Sequence, residues 1–134
     1  MNLIIINTNK STNKRYELEM LEEQKCSAYR ATKNEITQIR KGDIVLLYSN
    51  DRGIIASGKA DGNLKMKPDN GEENAEYYMG LNEFYEYISD ISYGKILSII
   101  KKADPSFARP FNQTLLKFPL PNSAEIWHEV NKYV

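Results

Sequence analysis

The chain has 134 residues, 18 basic and 18 acidic side chains, one histidine and one cysteine. That length is enough for one domain with its own core, and residues 1–134 are read as a single domain. The balanced charge excludes a molecule-wide basic field that grips nucleic acid regardless of sequence, and a lone Cys26 excludes an intrachain disulfide. A cytoplasmic setting is therefore expected. One His and one Cys leave no ligand set for a zinc centre, and no metal or cofactor is expected.

Leu3-Ile4-Ile5-Ile6 is a continuous apolar run of strand length, read as a central strand. It is too short to span a membrane and lacks the flanks of a signal peptide. Thr8 to Asn13 is a polar loop, and Leu18 and Leu21 suggest a short helix over 16–23. Cys26 to Thr32 reads as an irregular segment around Tyr29 and Arg30. A helical turn follows over 33–39, with Asn34 as its cap and Ile36 and Ile39 inward.

Lys41-Gly42-Asp43 launches a second apolar run, Ile44 to Leu47, short enough for a strand buried on both faces. It ends in Tyr48 and Ser49. Ser49-Asn50-Asp51-Arg52-Gly53 is a turn, and Ile54 to Gly58 returns antiparallel. Residues 60–74, with Gly62, Pro68 and Asn70-Gly71, read as a mobile loop. Glu76 to Ile88 keeps neither helical nor strand period cleanly; a long bent strand with a bulge at Gly80 or Asn82 is expected, a helix being the rival. Ser92 caps a helix whose apolar face is Ile96, Leu97, Ile99 and Ile100, stopped at Asp104-Pro105. A loop over 106–113 leads to a last strand over 114–118. Pro121-Asn122-Ser123 opens a terminal helix with Ile126, Trp127 and Val130 toward the core. Strands and helices do not alternate regularly, which disfavours a doubly wound parallel sheet. The expected fold is α+β, a curved mixed sheet or open β-barrel with flanking helices.

The ordered set Ser27-Ala28-Tyr29-Arg30-Ala31, Ile39 to Asn50 and Gly53 to Gly58 resembles the PUA-like superfamily, and within it the EVE-type domain. There a loop aromatic precedes a short helix, a Gly-Asp-led apolar strand ending in Tyr, and a Gly-Ile strand. Asn112 to Phe118, Pro121 and Ala124-Glu125-Ile126-Trp127 resemble that family's last strand and closing helix. Two positions depart from it: the first strand lacks an early Trp, and Ser27-Ala28 stands where Arg-Asn is usual. The resemblance implies a five- or six-stranded curved sheet and a nucleic-acid binding role. The ligand would be DNA or RNA with a modified or flipped base. Similar domains act as recognition parts of McrB-type modification-dependent restriction systems, so a motor or nuclease partner is implied.

On that footing Tyr29 and Tyr48 are expected to supply aromatic faces for a base. Ser27, Ser49, Asn50, Asn112 and Gln113 are expected to supply groups for its edge. Arg30, Lys33 and Arg109 are candidates for phosphates, with Lys10, Lys14, Arg15, Arg40 and Lys41 as a wider basic rim; a solvated face is the plainer meaning of the rim. Glu72, Glu73 and Glu76 read as a charged loop. Cys26 reads as a small buried residue, not a nucleophile. No catalytic motif appears, so an enzyme is not expected. Two alternatives remain: a protein–protein interaction or dimerisation module docking through Tyr77 to Tyr87, and an ASCH-like small-molecule hydrolase using Lys41 and Asp43. Both monomer and homodimer fit, and no membrane partner is expected.

Overall fold

A computed structural model, describing residues 1–134, turns the two apolar runs into neighbouring strands. β1 (Leu3–Asn7) lies parallel to β3 (Ile44–Ser49), with Leu3 opposite Ile44 and Asn7 opposite Tyr48. On its other side β1 pairs antiparallel with β6 (Leu115–Phe118). β3 continues antiparallel into β4 (Gly53–Asp69), β4 into β5 (Glu72–Ile91), and β5 into β2 (Lys25–Tyr29). The sheet order is β2-β5-β4-β3-β1-β6. β1 and β3 are buried at every position, as unbroken apolar runs require, because helices cover both faces.

Alternate residues feed two separate apolar clusters. Leu3, Ile5, Ile44, Leu46 and Tyr48 pack under α2 (Tyr93–Ala103) and α3 (Asn122–Val130), against Ile96, Ile100, Ile126 and Val130. Ile4, Ile6, Val45 and Leu47 face the other way, against Met20 of α1 (Lys14–Glu23) and Ile36 of a 3₁₀ helix (Arg30–Gln38). The α+β class and the curved sheet with flanking helices are as expected. No helix is long and apolar enough to cross a membrane.

Local chemistry explains the element ends. The Asn13 side chain accepts from the Arg15 N–H at the start of α1, and Ser92 does the same for Lys95 at α2. Gly53 opens β4 with φ +102°, and a Cβ there would lie 2.1 Å from the Ile91 carbonyl oxygen, so only glycine fits.

Three expectations are corrected. Residues 60–74 are not a loop: β4 runs on to Asp69, turns at Asn70-Gly71 and returns as β5. Both turn residues have positive φ, the geometry a two-residue hairpin turn favours. Residues 26–32 are not irregular, because 25–29 form β2, paired with Glu76 to Gly80. Asn34 caps nothing, since the 3₁₀ helix starts at Arg30. The bent strand is confirmed: the β4–β5 register shifts between Ile54/Ala56, Ser57/Lys59, Ala60/Leu64 and Lys67/Asp69. The second of these falls beside Asn82 and the third is centred on Gly80, and such irregularities add twist and curl.

Candidate functional site

Side chains alternate along a strand, so Lys25, Ser27 and Tyr29 of β2 share a face with their β5 neighbours Glu76 and Tyr78. Lys67 of β4 is opposite Glu76 and joins them. α1 crosses this face and brings Tyr16, Glu19 and Glu23. The result is a charged cluster built into the fold. Lys25 Nζ lies 2.8 Å from Glu76 Oε2, and both side chains are only 2% exposed. Ser27 Oγ donates to the same oxygen at 2.7 Å. Glu23 and Glu19 stand 3.3 and 3.7 Å from Lys25 Nζ, and the Tyr78 ring centroid is 4.6 Å away. Lys67 donates to Glu19 at 3.1 Å. Burial opposes the charge on both Lys67 and Glu19. Their mutual bond and the surrounding opposite charges outweigh it, raising the Lys67 pKa and lowering that of Glu19.

Beside the ion pair, Tyr16 and Tyr29 stack face to face, with ring centroids 3.7 Å apart and planes 11° from parallel. Tyr16 Oη donates to Asp69 Oδ2 at 2.5 Å, and Arg30 donates to the same oxygen at 3.0 Å. The Tyr29 hydroxyl is buried without a hydrogen-bond partner. Burial and the Glu76 charge push its pKa upward. Burial and the Asp69 carboxylate push Tyr16 up to about 12. A cleft of about 410 Å³ opens here, lined by Asn13, Arg15, Glu19, Lys67, Asp69 and Glu76, with Pro68 and Asn70 at the hairpin tip.

The expected site residues do not converge. Ser27 and Tyr29 lie at this cluster. Tyr48 points into the opposite apolar layer, 5% exposed, edge-on to Phe111 at 5.0 Å; its proposed aromatic face is covered by the core. Ser49 and Asn50 belong to a polar knot at the β3–β4 turn. Asn7 donates to Asn50 at 2.9 Å, Asn50 donates to Ser11, and Ser49 and Lys10 bond Asp51. A smaller recess of about 270 Å³ lies against this knot, lined by Lys10, Ser11, Lys14, Asn50 and Asp51. Asn112 and Gln113 are exposed in the loop before β6.

The three phosphate candidates also have internal contacts. Arg30 pairs with Asp69 and Glu72. Lys33 donates to the Asn74 carbonyl and sits 4.9 Å from the Tyr77 ring centroid. Arg109 lies over Phe107 and Phe118. Asp43 is a turn organiser, accepting from the Asn2 and Arg40 N–H groups. Cys26 is fully buried and burial pushes its thiol up to about 12, which makes it inert as a nucleophile.

Glu76 lies in the expected bent strand, and its reading as a charged-loop residue is the main correction: its side chain is buried and ion-paired. Tyr16, Lys25 and Asp69 were not expected at a site. The one sequence signal for them is the alternation Lys25-Ser27-Tyr29 against Glu76-Tyr78-Gly80, which becomes readable only once both segments are known to be strands.

This strand order, an open half-barrel with helices on both flanks, is a PUA-like fold. Three solved structures share it. PSPTO5229 of Pseudomonas syringae is 12% identical, with 97% of each chain covered and a TM-score of 0.58. Rpa0253 of Rhodopseudomonas palustris is 13% identical, over 99% of this chain and 92% of that one, with a TM-score of 0.60. The Mmi1 YTH domain is 9% identical, over 98% and 96%, with a TM-score of 0.57. No protein-family model matches the sequence, and no curated protein sequence matches it significantly.

Two outcomes follow from the cluster. Lys25→Met leaves a buried carboxylate unpaired and should cost about 3–5 kcal/mol in urea unfolding. Adding Glu76→Leu should recover part of that loss; additive costs would show the two are not coupled. The second concerns Tyr16. Its folded pKa lies above the unfolded value of about 10, so the fold holds the proton longer. That contribution is complete below about pH 10 and is lost as pH rises toward 12. Urea midpoints should fall across this window, and fall less in Tyr16→Phe; identical pH profiles for the two proteins would contradict the assignment.

Proposed function

We propose that this chain is a nucleic-acid binding module that takes one unpaired or flipped base into the cleft between α1 and the tip of the β4–β5 hairpin. The observation that carries the reading is the pairing of that cleft with the Tyr16–Tyr29 stack. Its volume of about 410 Å³ lies in the range of small-ligand sites, roughly 300–1,000 Å³. The two phenol rings stand beside the cleft, each 7% exposed and neither among its lining residues, so a base stacks on one of them only once α1 shifts to bare its face. Stacking of this kind is worth roughly 1–3 kcal/mol per base.

The polar side chains at the cleft are suited to a base edge. Lys14 and Arg15 are exposed at the N-terminus of α1, where the helix dipole and free N–H groups favour an anion such as a backbone phosphate. Zero net charge suits a module that reads one nucleotide more than one that follows a long backbone. Of the residues expected from sequence, Ser27 and Tyr29 serve this site, with Arg30 holding Asp69 in place. The neighbouring recess at Asn50 lies where an adjoining nucleotide would pass. In the EVE-type form of this reading the base is a modified one. The chain would then act as the recognition part of a restriction system whose motor and nuclease are separate.

Single-stranded DNA and RNA oligonucleotides with modified and unmodified bases provide the test, read by fluorescence anisotropy. Tyr29→Ala should weaken binding by roughly 1–3 kcal/mol. Arg15→Glu, a change at an exposed position, should weaken it and flatten its salt dependence. Binding unchanged in both variants, or absent in the wild type for every oligonucleotide, would overturn the proposal.

A further inference from the structure

Tyr16 and Tyr29 are held in different ways. Tyr29 belongs to β2, opposite Glu76 in the register, and its hydroxyl is buried without a partner. Tyr16 comes from the first turn of α1 and lies flat on Tyr29, with ring centroids 3.7 Å apart and planes 11° from parallel. Its hydroxyl donates to Asp69, a residue of the cleft lining. A flat ring on an aromatic face, with a donor at its rim bonded to a side chain, is also what a bound base presents. The face of Tyr29 that such a base needs is thus already occupied, by the protein's own side chain.

The fold makes that occupant removable. Two phenols favour an offset or edge-on arrangement, so a face-to-face Tyr16 is a weak competitor for the Tyr29 ring. Asp69 keeps its bond from Arg30 at 3.0 Å when the Tyr16 hydroxyl leaves, so no carboxylate is stranded. One turn further along α1, Met20 is fully buried and Glu19 is bonded to Lys67. These contacts anchor the helix beyond Tyr16. The first turn, with Asn13 and Arg15 on the cleft lining, can open without undoing them, as helix ends do at little cost.

We infer that Tyr16 is an internal stand-in for the ligand: a base binds by displacing the Tyr16 ring from Tyr29 and taking its place. This rests on the base-reading function proposed above and adds how that site is regulated. The two tyrosines then have opposite roles. Tyr29 attracts the base, and Tyr16 competes with it. The self-occupied form lowers the apparent affinity for every ligand by the fraction of molecules in which Tyr29 is bare.

The sign of a substitution separates the two roles. The experiment uses the intact chain and the single-stranded oligonucleotide that the wild type binds most tightly, read by anisotropy. Tyr16→Phe keeps the ring but loses the Asp69 bond, and should bind about threefold tighter than wild type. Tyr16→Ala removes the competitor altogether and should bind about tenfold tighter, whereas Tyr29→Ala binds more weakly. A second readout does not depend on a folded Tyr16→Ala. In NMR spectra of the wild type with labelled tyrosine rings, the Tyr16 ring signals should move on oligonucleotide addition toward those of a solvent-exposed tyrosine. Tyr16 variants that bind more weakly would make Tyr16 part of the wall. That result, unchanged affinity in both variants, or a Tyr16 ring that stays in place would overturn the inference while leaving base binding intact. Absence of wild-type binding to every oligonucleotide would overturn the base-reading function itself, and this inference with it.

Discussion

The buried ion pair between Lys25 and Glu76 is the constraint on which the α1 face of the molecule depends. Two charged side chains, each 2% exposed, are tolerable only if paired and further hydrogen-bonded. Ser27 and the carboxylates of Glu19 and Glu23 meet that requirement. Such a pair also sets register. A slip of β2 by one residue would turn Lys25 to the apolar side and Cys26 to the charged one, so the edge strand has one tolerable position. With β2 placed, Tyr29 stands beside Glu76 and under Tyr16, and α1 is held over the sheet by contacts from three of its acidic and aromatic side chains.

The two faces of the sheet divide the labour. The face under α2 and α3 is closed by Phe107, Phe111, Phe118 and Tyr48 in mutual contact. The face under α1 mixes aliphatic packing near β1 and β3 with ionic and phenolic groups toward the β4–β5 tip. Polarity thus rises from the middle of the sheet to its β2 edge, and the cleft opens at the polar end. A face-to-face phenol stack is not the arrangement two such rings prefer, since their quadrupoles favour an offset or an edge. Here it is held by the Asp69 bond on one ring and by the strand on the other.

The central architecture was legible in the sequence because apolar runs report burial directly. Leu3 to Ile6 and Ile44 to Leu47 gave the inner strands, and Ser92 and the isoleucines of α2 gave its cap and face. The distal hairpin was not legible. Residues 60–74 are mostly polar and carry Gly, Pro and Asn, so they have the composition of a loop; their one apolar alternation, Leu64 and Met66, lies on an exposed face. They are held as strands by cross-strand pairing and by burial of a charge, neither of which leaves a period in hydrophobicity. Tyr48 and Tyr29 show the same limit. Tyr29 ends β2 and Tyr48 is the last residue but one of β3, but the parity of each position sends one ring into each layer, and parity is settled by long-range register. The candidate site therefore escaped notice where it rests on Lys25 and Glu76, residue types that mark solvent in most sequences.

Chemical-shift mapping of the isotopically labelled chain with a short single-stranded oligonucleotide tests the central claim most directly. The account predicts perturbations concentrated at residues 13–19, 25–30 and 67–76, with the Tyr48–Phe111 layer unmoved. Perturbations confined to the Tyr48–Phe111 face and the 109–113 loop, or none at any concentration, would contradict it.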